Sequence, residues 1–138
     1  MKGPMIDATV GFAADEAGSG IAYVSLSSGS NRKSLRVPFT VRRYPALLER
    51  EVGYAALTAV ADKVAALGCK RVAFHVPDDR VVADLEERRD VPGPLAIEYV
   101  RLGCALNRFN EYRLEAGGGD AGDLTARARA EVTLHVAA

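Results

Sequence analysis

Residues 54–76, YAALTAVADKVAALGCKRVAFHV, change periodicity part-way along. Leu48, Val52, Ala55, Ala56, Ala59, Val60, Lys63, Val64 and Leu67 recur at helical spacing, forming a mostly apolar stripe. Pro45 suits the first turn of that helix, and Gly68 stops it. KRVAFHV then reads as a strand apolar on both faces, which predicts cover by helices on either side. A long helix leading into such a strand is a crossover connection, so a parallel strand pair is expected here.

Upstream, IDATVGFAA (6–14) and IAYVSLSS (21–28) alternate apolar with small or polar residues, and DEAGSG lies between them. That is a hairpin signal. GSNRK supplies a second turn before SLRVPFTV, giving a three-stranded antiparallel meander over about residues 6–41. Pro38 marks the third strand as an edge, because proline cannot donate to a ladder.

Downstream, DDRVVADLEERRD reads as a helix, Pro92-Gly93-Pro94 as a break, and LAIEYVRLGCALNRF as a further helix. NEYRLEA alternates as a last strand, GGGDAG breaks it, and DLTARARAEV forms a final helix; the tail TLHVAA is ambiguous. Three strands, helix, strand, two helices, strand and helix make one domain over residues 1–138, with a mixed sheet and helices on its faces.

Composition narrows the function classes. Eighteen basic residues balance eighteen acidic ones, so no global field draws the chain to nucleic acid or an anionic membrane. The distribution is uneven, however: Ser25 to Leu48 holds no acid but carries Arg32, Lys33, Arg36, Arg42 and Arg43. This cluster reads either as a phosphate-facing patch or as solvated charge guarding a strand edge. No apolar run approaches the roughly 18 residues of a membrane span. Without a signal-peptide core or CxxC spacing, a reducing cytoplasm is expected, with Cys69 and Cys104 as small core residues. No P-loop, dinucleotide fingerprint, zinc spacing, internal repeat or tryptophan stacking platform is visible.

The order of elements resembles ribonuclease H, the type-one enzymes, and the wider ribonuclease H-like fold. YAALTAVADKVAALGCKRV is similar to the family's first helix and following strand, RVVADL to the helix after its Asp-Ser pair, YVRLGCALNRF to its next helix, and GDLTARA to its closing Ala-Asp-x-Leu-Ala-Arg segment. The resemblance covers nearly the whole chain. It implies an α/β ribonuclease H-like mixed five-stranded sheet, antiparallel meander plus parallel strands, flanked by helices. It also implies four carboxylates gathering two Mg2+ or Mn2+ ions at the scissile phosphate of an RNA–DNA hybrid.

Carried over position by position, the closing Asp falls on Asp123. The helix Glu, which in the family precedes a Tyr, falls on Gly53; Glu51 would point to another side of the helix, and Glu49 lies one turn earlier on a similar face. The fourth-strand Asp falls on Pro77 in an ungapped reading, or on Asp78 after a one-residue slip. An Asp just before a helix also serves as its cap. For the first strand, Asp15, Asp7 and Ala13 are the alternatives, the last meaning that the acid is lost. The catalytic and metal-ligating set taken forward is Asp15, Asp78 and Asp123. His75 is read as a satisfied core or interface histidine in preference to a base, Asp120 as part of a strand-to-helix connection, and His135 has no recognisable partner.

Three functions follow. The first is a diverged ribonuclease H-like protein, weak or inactive as a nuclease and retained for binding nucleic acid or protein. The second is an active divalent-metal-dependent hybrid endoribonuclease with a rearranged carboxylate set. The third is an assembly module, a homodimer pairing through sheet edges or the tail.

Overall fold

The computed structural model describes residues 5–15, 17–41, 49–77, 82, 93–117 and 121–137. The chain forms β1 (Ile6–Ala14), β2 (Ser19–Ser28), β3 (Asn31–Thr40), α1 (Glu49–Ala66), β4 (Arg71–Val76), α2 (Gly93–Leu106), β5 (Glu111–Ala116) and α3 (Ala121–Ala137). The strands make one five-stranded sheet in the order β3-β2-β1-β4-β5. β1 to β3 are the expected antiparallel meander, whereas β4 pairs parallel to both β1 and β5. Pro38 lies on the outer strand, where a missing N–H can face away from the ladder.

Alternation along the strands creates two unlike faces. Ala8 is paired with Leu26, Val10 with Val24, and Ala22 with Val37. All six are buried with Val72, Phe74 and Val76 of β4 beneath Tyr54, Leu57, Val60 and Val64 of α1 and Leu102 and Leu106 of α2. Each such aliphatic side chain removed from water contributes roughly 1.5–3 kcal/mol, so this layer is the main source of cohesion. Edge-to-face rings knit it together: Tyr54 to Tyr99 at 6.3 Å between α1 and α2, and Phe74 to Phe109 at 5.6 Å. The opposite face, carrying Gly11, Tyr23 and Arg36, receives α3.

α1 ends where Gly68 adopts φ 90°, its N–H donating to the Ala65 carbonyl at 3.0 Å. The chain then reaches β4 through Lys70, whose carbonyl accepts the N–H of Asn110 at 2.8 Å and so fixes the start of β5 beside β4.

Several expectations change. α2 starts at Gly93, with Pro94 inside its first turn, because that position has no intrahelical N–H bond to lose. The tail continues α3 through Ala137. Leu67 lies past the last residue of α1 and is exposed. Cys104 is exposed and not a core residue, whereas Cys69 is half-buried and packs against the core; burial pushes the Cys69 thiol up, opposed by Lys33. Of the helix expected over 78–90 only Val82 lies within the described residues, and it is helical and buried. No helix among the described residues is long and apolar enough to cross a membrane.

Candidate active site

The site expected from the resemblance lies at the carboxyl ends of β1 and β4. In the parallel ladder the last pair is Thr9 opposite His75. Continuing it by two residues sets Pro77 level with Gly11, so Gly11 marks where a first-strand carboxylate would face a fourth-strand one. A Cβ built on Gly11 would lie 2.6 Å from the Leu124 Cβ and closer still to the Leu124 carbonyl carbon and the Thr125 nitrogen. The first turn of α3 therefore rests directly on the β1 backbone, in space that a side chain would need. The Thr125 hydroxyl oxygen is buried there with no hydrogen-bond partner. Asp123, one residue before Leu124, is exposed in the first turn of α3. It is brought to this corner.

Asp15 is not. It ends the β1–β2 hairpin, where its Oδ1 accepts the N–H of Ser19 at 3.0 Å and its backbone carbonyl accepts the N–H of Gly18 at 3.1 Å. It stands four residues beyond Gly11, or about 13 Å at ~3.3 Å per strand residue. Its carboxylate organises a tight turn instead of facing β4. Asp7 stands near the start of β1, opposite Ala73, and Ala13 opposite Ile21. Asp78 and Asp120 lie outside the described residues, as do Arg42 and Arg43.

In α1, Gly53 is buried and supplies no donor. Glu49 begins the helix, and its side chain is outside the described residues. Glu51 does point away from solvent: it is 2% exposed, and its Oε1 has no hydrogen-bond partner. Burial, seconded by the charge of Glu98, holds its carboxyl above the usual range.

The resemblance asks for two divalent ions. Gly11, Gly53 and Pro77 carry no donor atoms in their side chains, and among the described residues no group of three His, Cys, Asp or Glu is arranged to hold a metal. The described donor set does not fit a two-metal centre.

The basic cluster divides between the two faces. Arg32 pairs with Ser27 and Arg36 with Tyr23, on the α3 side, whereas Lys33 pairs with Leu26 on the core side. Arg36 donates from Nε to Glu131 Oε1 at 2.8 Å, and that hydrogen bond is the main cause raising its pKa further. The Tyr23 hydroxyl donates to the other Glu131 oxygen at 2.7 Å, and the Arg127 guanidinium lies 4.3 Å from the centre of the Tyr23 ring. Arg36 is thus committed to holding α3 on the hairpin.

One constellation escaped the sequence reading. His75 sits on the α3-side face between two carboxylates, with Nε2 3.1 Å from Asp7 Oδ1 and Nδ1 3.2 Å from Glu115 Oε2. The three come from β1, β4 and β5. His75 is half-buried on the sheet face and not in the core, and it is satisfied by a carboxylate on either side. Strand alternation contained the signal, but only the parallel register reveals it.

No protein-family model and no curated protein matches the chain. Solved structures do. Ribonuclease H1 of the halophilic archaeon Halobacterium salinarum superposes with a TM-score of 0.74 at 17% identity, over 94% of this chain and 97% of that one. The N-terminal ribonuclease H domain of Rv2228c from Mycobacterium tuberculosis gives 0.69 at 15% identity, over 90% and 95%. LC11 ribonuclease H1, solved in complex with an RNA/DNA hybrid, gives 0.69 at 11% identity, over 93% and 99%.

Proposed function

We propose that this chain, whose fold is ribonuclease H-like, is a nucleic-acid-binding module in which two-metal hydrolysis is weak or lost. The observation that carries this reading is Gly11 beneath the Leu124–Thr125 backbone: the corner offers no room for a first-strand carboxylate, and Asp15 is engaged elsewhere. Losing one ligand of a two-metal centre removes both charge and orientation from the attacking water and the leaving oxygen. Gly53 and the ungapped position of Pro77 weaken the same centre. An RNA–DNA hybrid is the first ligand to try, since LC11 ribonuclease H1 has been solved with one. Arg32 and Lys33, exposed on the outer strand, offer phosphate contacts.

The test is a labelled RNA–DNA hybrid incubated with the protein and with Asp123→Asn, in Mg2+ and separately in Mn2+, with cleavage and gel retardation read together. Retardation that weakens with salt, with no cutting by the folded protein, is the expected result. Metal-dependent cutting that disappears in Asp123→Asn overturns it in favour of an active nuclease. Absence of both cutting and retardation removes nucleic acid as the ligand.

A further inference from the structure

Away from that corner, a cavity of about 470 Å3 opens between the end of β3, α1 and α2. Small-molecule sites occupy roughly 300–1,000 Å3. The floor is apolar: Phe39 and Val41 at the end of the hairpin, with Ala55 and Ala59 of α1, where longer side chains would fill the space. The charged lining is unequally engaged. Asp62 is already paired with Arg108 at 3.0 Å. Glu98 and Arg101 stand three residues apart on α2, and so are neighbours on one helix face; both line the cavity, and neither forms an ion pair among the described residues. The Thr58 hydroxyl donates to the Tyr54 carbonyl at 2.8 Å, which leaves its oxygen as an acceptor.

We infer that this cavity binds a zwitterionic α-amino acid with an apolar side chain of about leucine size. A guest with a single charge satisfies one of Glu98 and Arg101 and meets the other as a like charge, whereas ammonium and carboxylate on one carbon present each sign to its opposite. The span suits such a guest, because side chains three apart on a helix have Cβ atoms about 5–6 Å apart and both of these are long enough to converge. The ammonium meets Glu98, with the Thr58 oxygen as a further acceptor, and the Arg101 guanidinium grips both carboxylate oxygens. The apolar side chain then covers Phe39, Val41, Ala55 and Ala59. A direct pair between Glu98 and Arg101 at the helix surface is weak and yields to the guest. This inference is independent of nucleic-acid binding, because none of these residues lies at the Gly11 corner.

Titration of the 15N-labelled chain near neutral pH with L-leucine, its decarboxylated analogue isoamylamine and its deaminated analogue isocaproate tests it. Saturable shifts at the Ala55, Thr58 and Ala59 amides are expected at roughly millimolar leucine, with both analogues weaker by about tenfold or more. Glu98→Gln and Arg101→Gln should each weaken leucine binding by about tenfold, as expected for loss of a charge-assisted bond. Charge matching gives the sharper reading: Arg101→Gln should narrow the gap between leucine and the amine, and Glu98→Gln the gap between leucine and the acid. Arg101 is exposed and Glu98 half-buried, so neither substitution enters the core, and the same spectra show whether each variant is folded. Either analogue binding as tightly as leucine, unchanged affinity in both variants, or no saturable shift overturns the inference.

Discussion

Gly11→Ala is a perturbation whose sign separates two accounts of the corner. Gly11 is absent from the glycines with positive φ, so alanine is free to adopt its backbone conformation. In an open strand position the substitution would stabilise by about 0.4–1 kcal/mol, because alanine has less freedom to lose on folding. Here the new methyl would stand 2.6 Å from the Leu124 Cβ, with two backbone atoms of α3 nearer still. Carbon atoms prefer separations of about 3.5–4.0 Å, so the start of α3 must lift by roughly 1 Å or more. Backbone yields poorly, and overpacking of this kind costs about 1–3 kcal/mol. For a chain of 138 residues that corresponds to a fall in Tm of roughly 3–10 °C. Thermal unfolding followed by circular dichroism measures the total, and hydrogen exchange at the first turn of α3 locates it. A variant that melts at or above the parent temperature, with protection at residues 121–125 unchanged, would refute the close packing and reopen the corner to a first-strand acid.

Other outcomes follow from the same geometry. Glu51→Gln should melt above the parent at about pH 8 and lose that advantage towards about pH 4, because the parent's raised carboxyl pKa makes the folded state bind the extra proton: stability is greatest below the ordinary Glu range and falls as pH rises through the folded value. A gap independent of pH would contradict the burial of Glu51. Tyr23→Phe should cost about 1–2 kcal/mol in urea unfolding by removing the bond to Glu131, with no added loss when Glu131 is already Ala; full additivity would show that the two side chains do not meet. In the native state Cys104 should be alkylated at least about tenfold faster than Cys69, since it is exposed while burial raises the Cys69 thiol pKa. Peptide mass spectrometry would reveal the opposite order.

The element order was legible because each segment repeats its period several times: the α1 stripe, the two alternating strands of the hairpin, and the short apolar run of β4. Boundaries were less so. Pro94 looks like a breaker to local rules, yet it sits where a helix tolerates proline, and the tail that local rules left ambiguous continues α3. At the candidate site Asp123 was legible as the head of a helix, a property of adjacent residues. Gly11 was not, because its meaning depends on α3 arriving more than a hundred residues later in the chain. The Asp7–His75 contact likewise spans 68 residues and exists only in one parallel register. Asp15 shows the converse: an acid at a strand end was readable, but its use in the turn is fixed by the Ser19 N–H it accepts.

The position of β1 has a consequence for the order in which the chain can close during synthesis. β1 is made early, yet its parallel neighbour β4 begins at Arg71 and the helix covering its other face begins at Ala121. Until those segments emerge, the hairpin exposes an unpaired edge along Ile6–Thr9 and an uncovered backbone at Gly11. The centre of the sheet is therefore completed last, a topology rich in distant pairings that slows folding and leaves the nascent hairpin in need of protection.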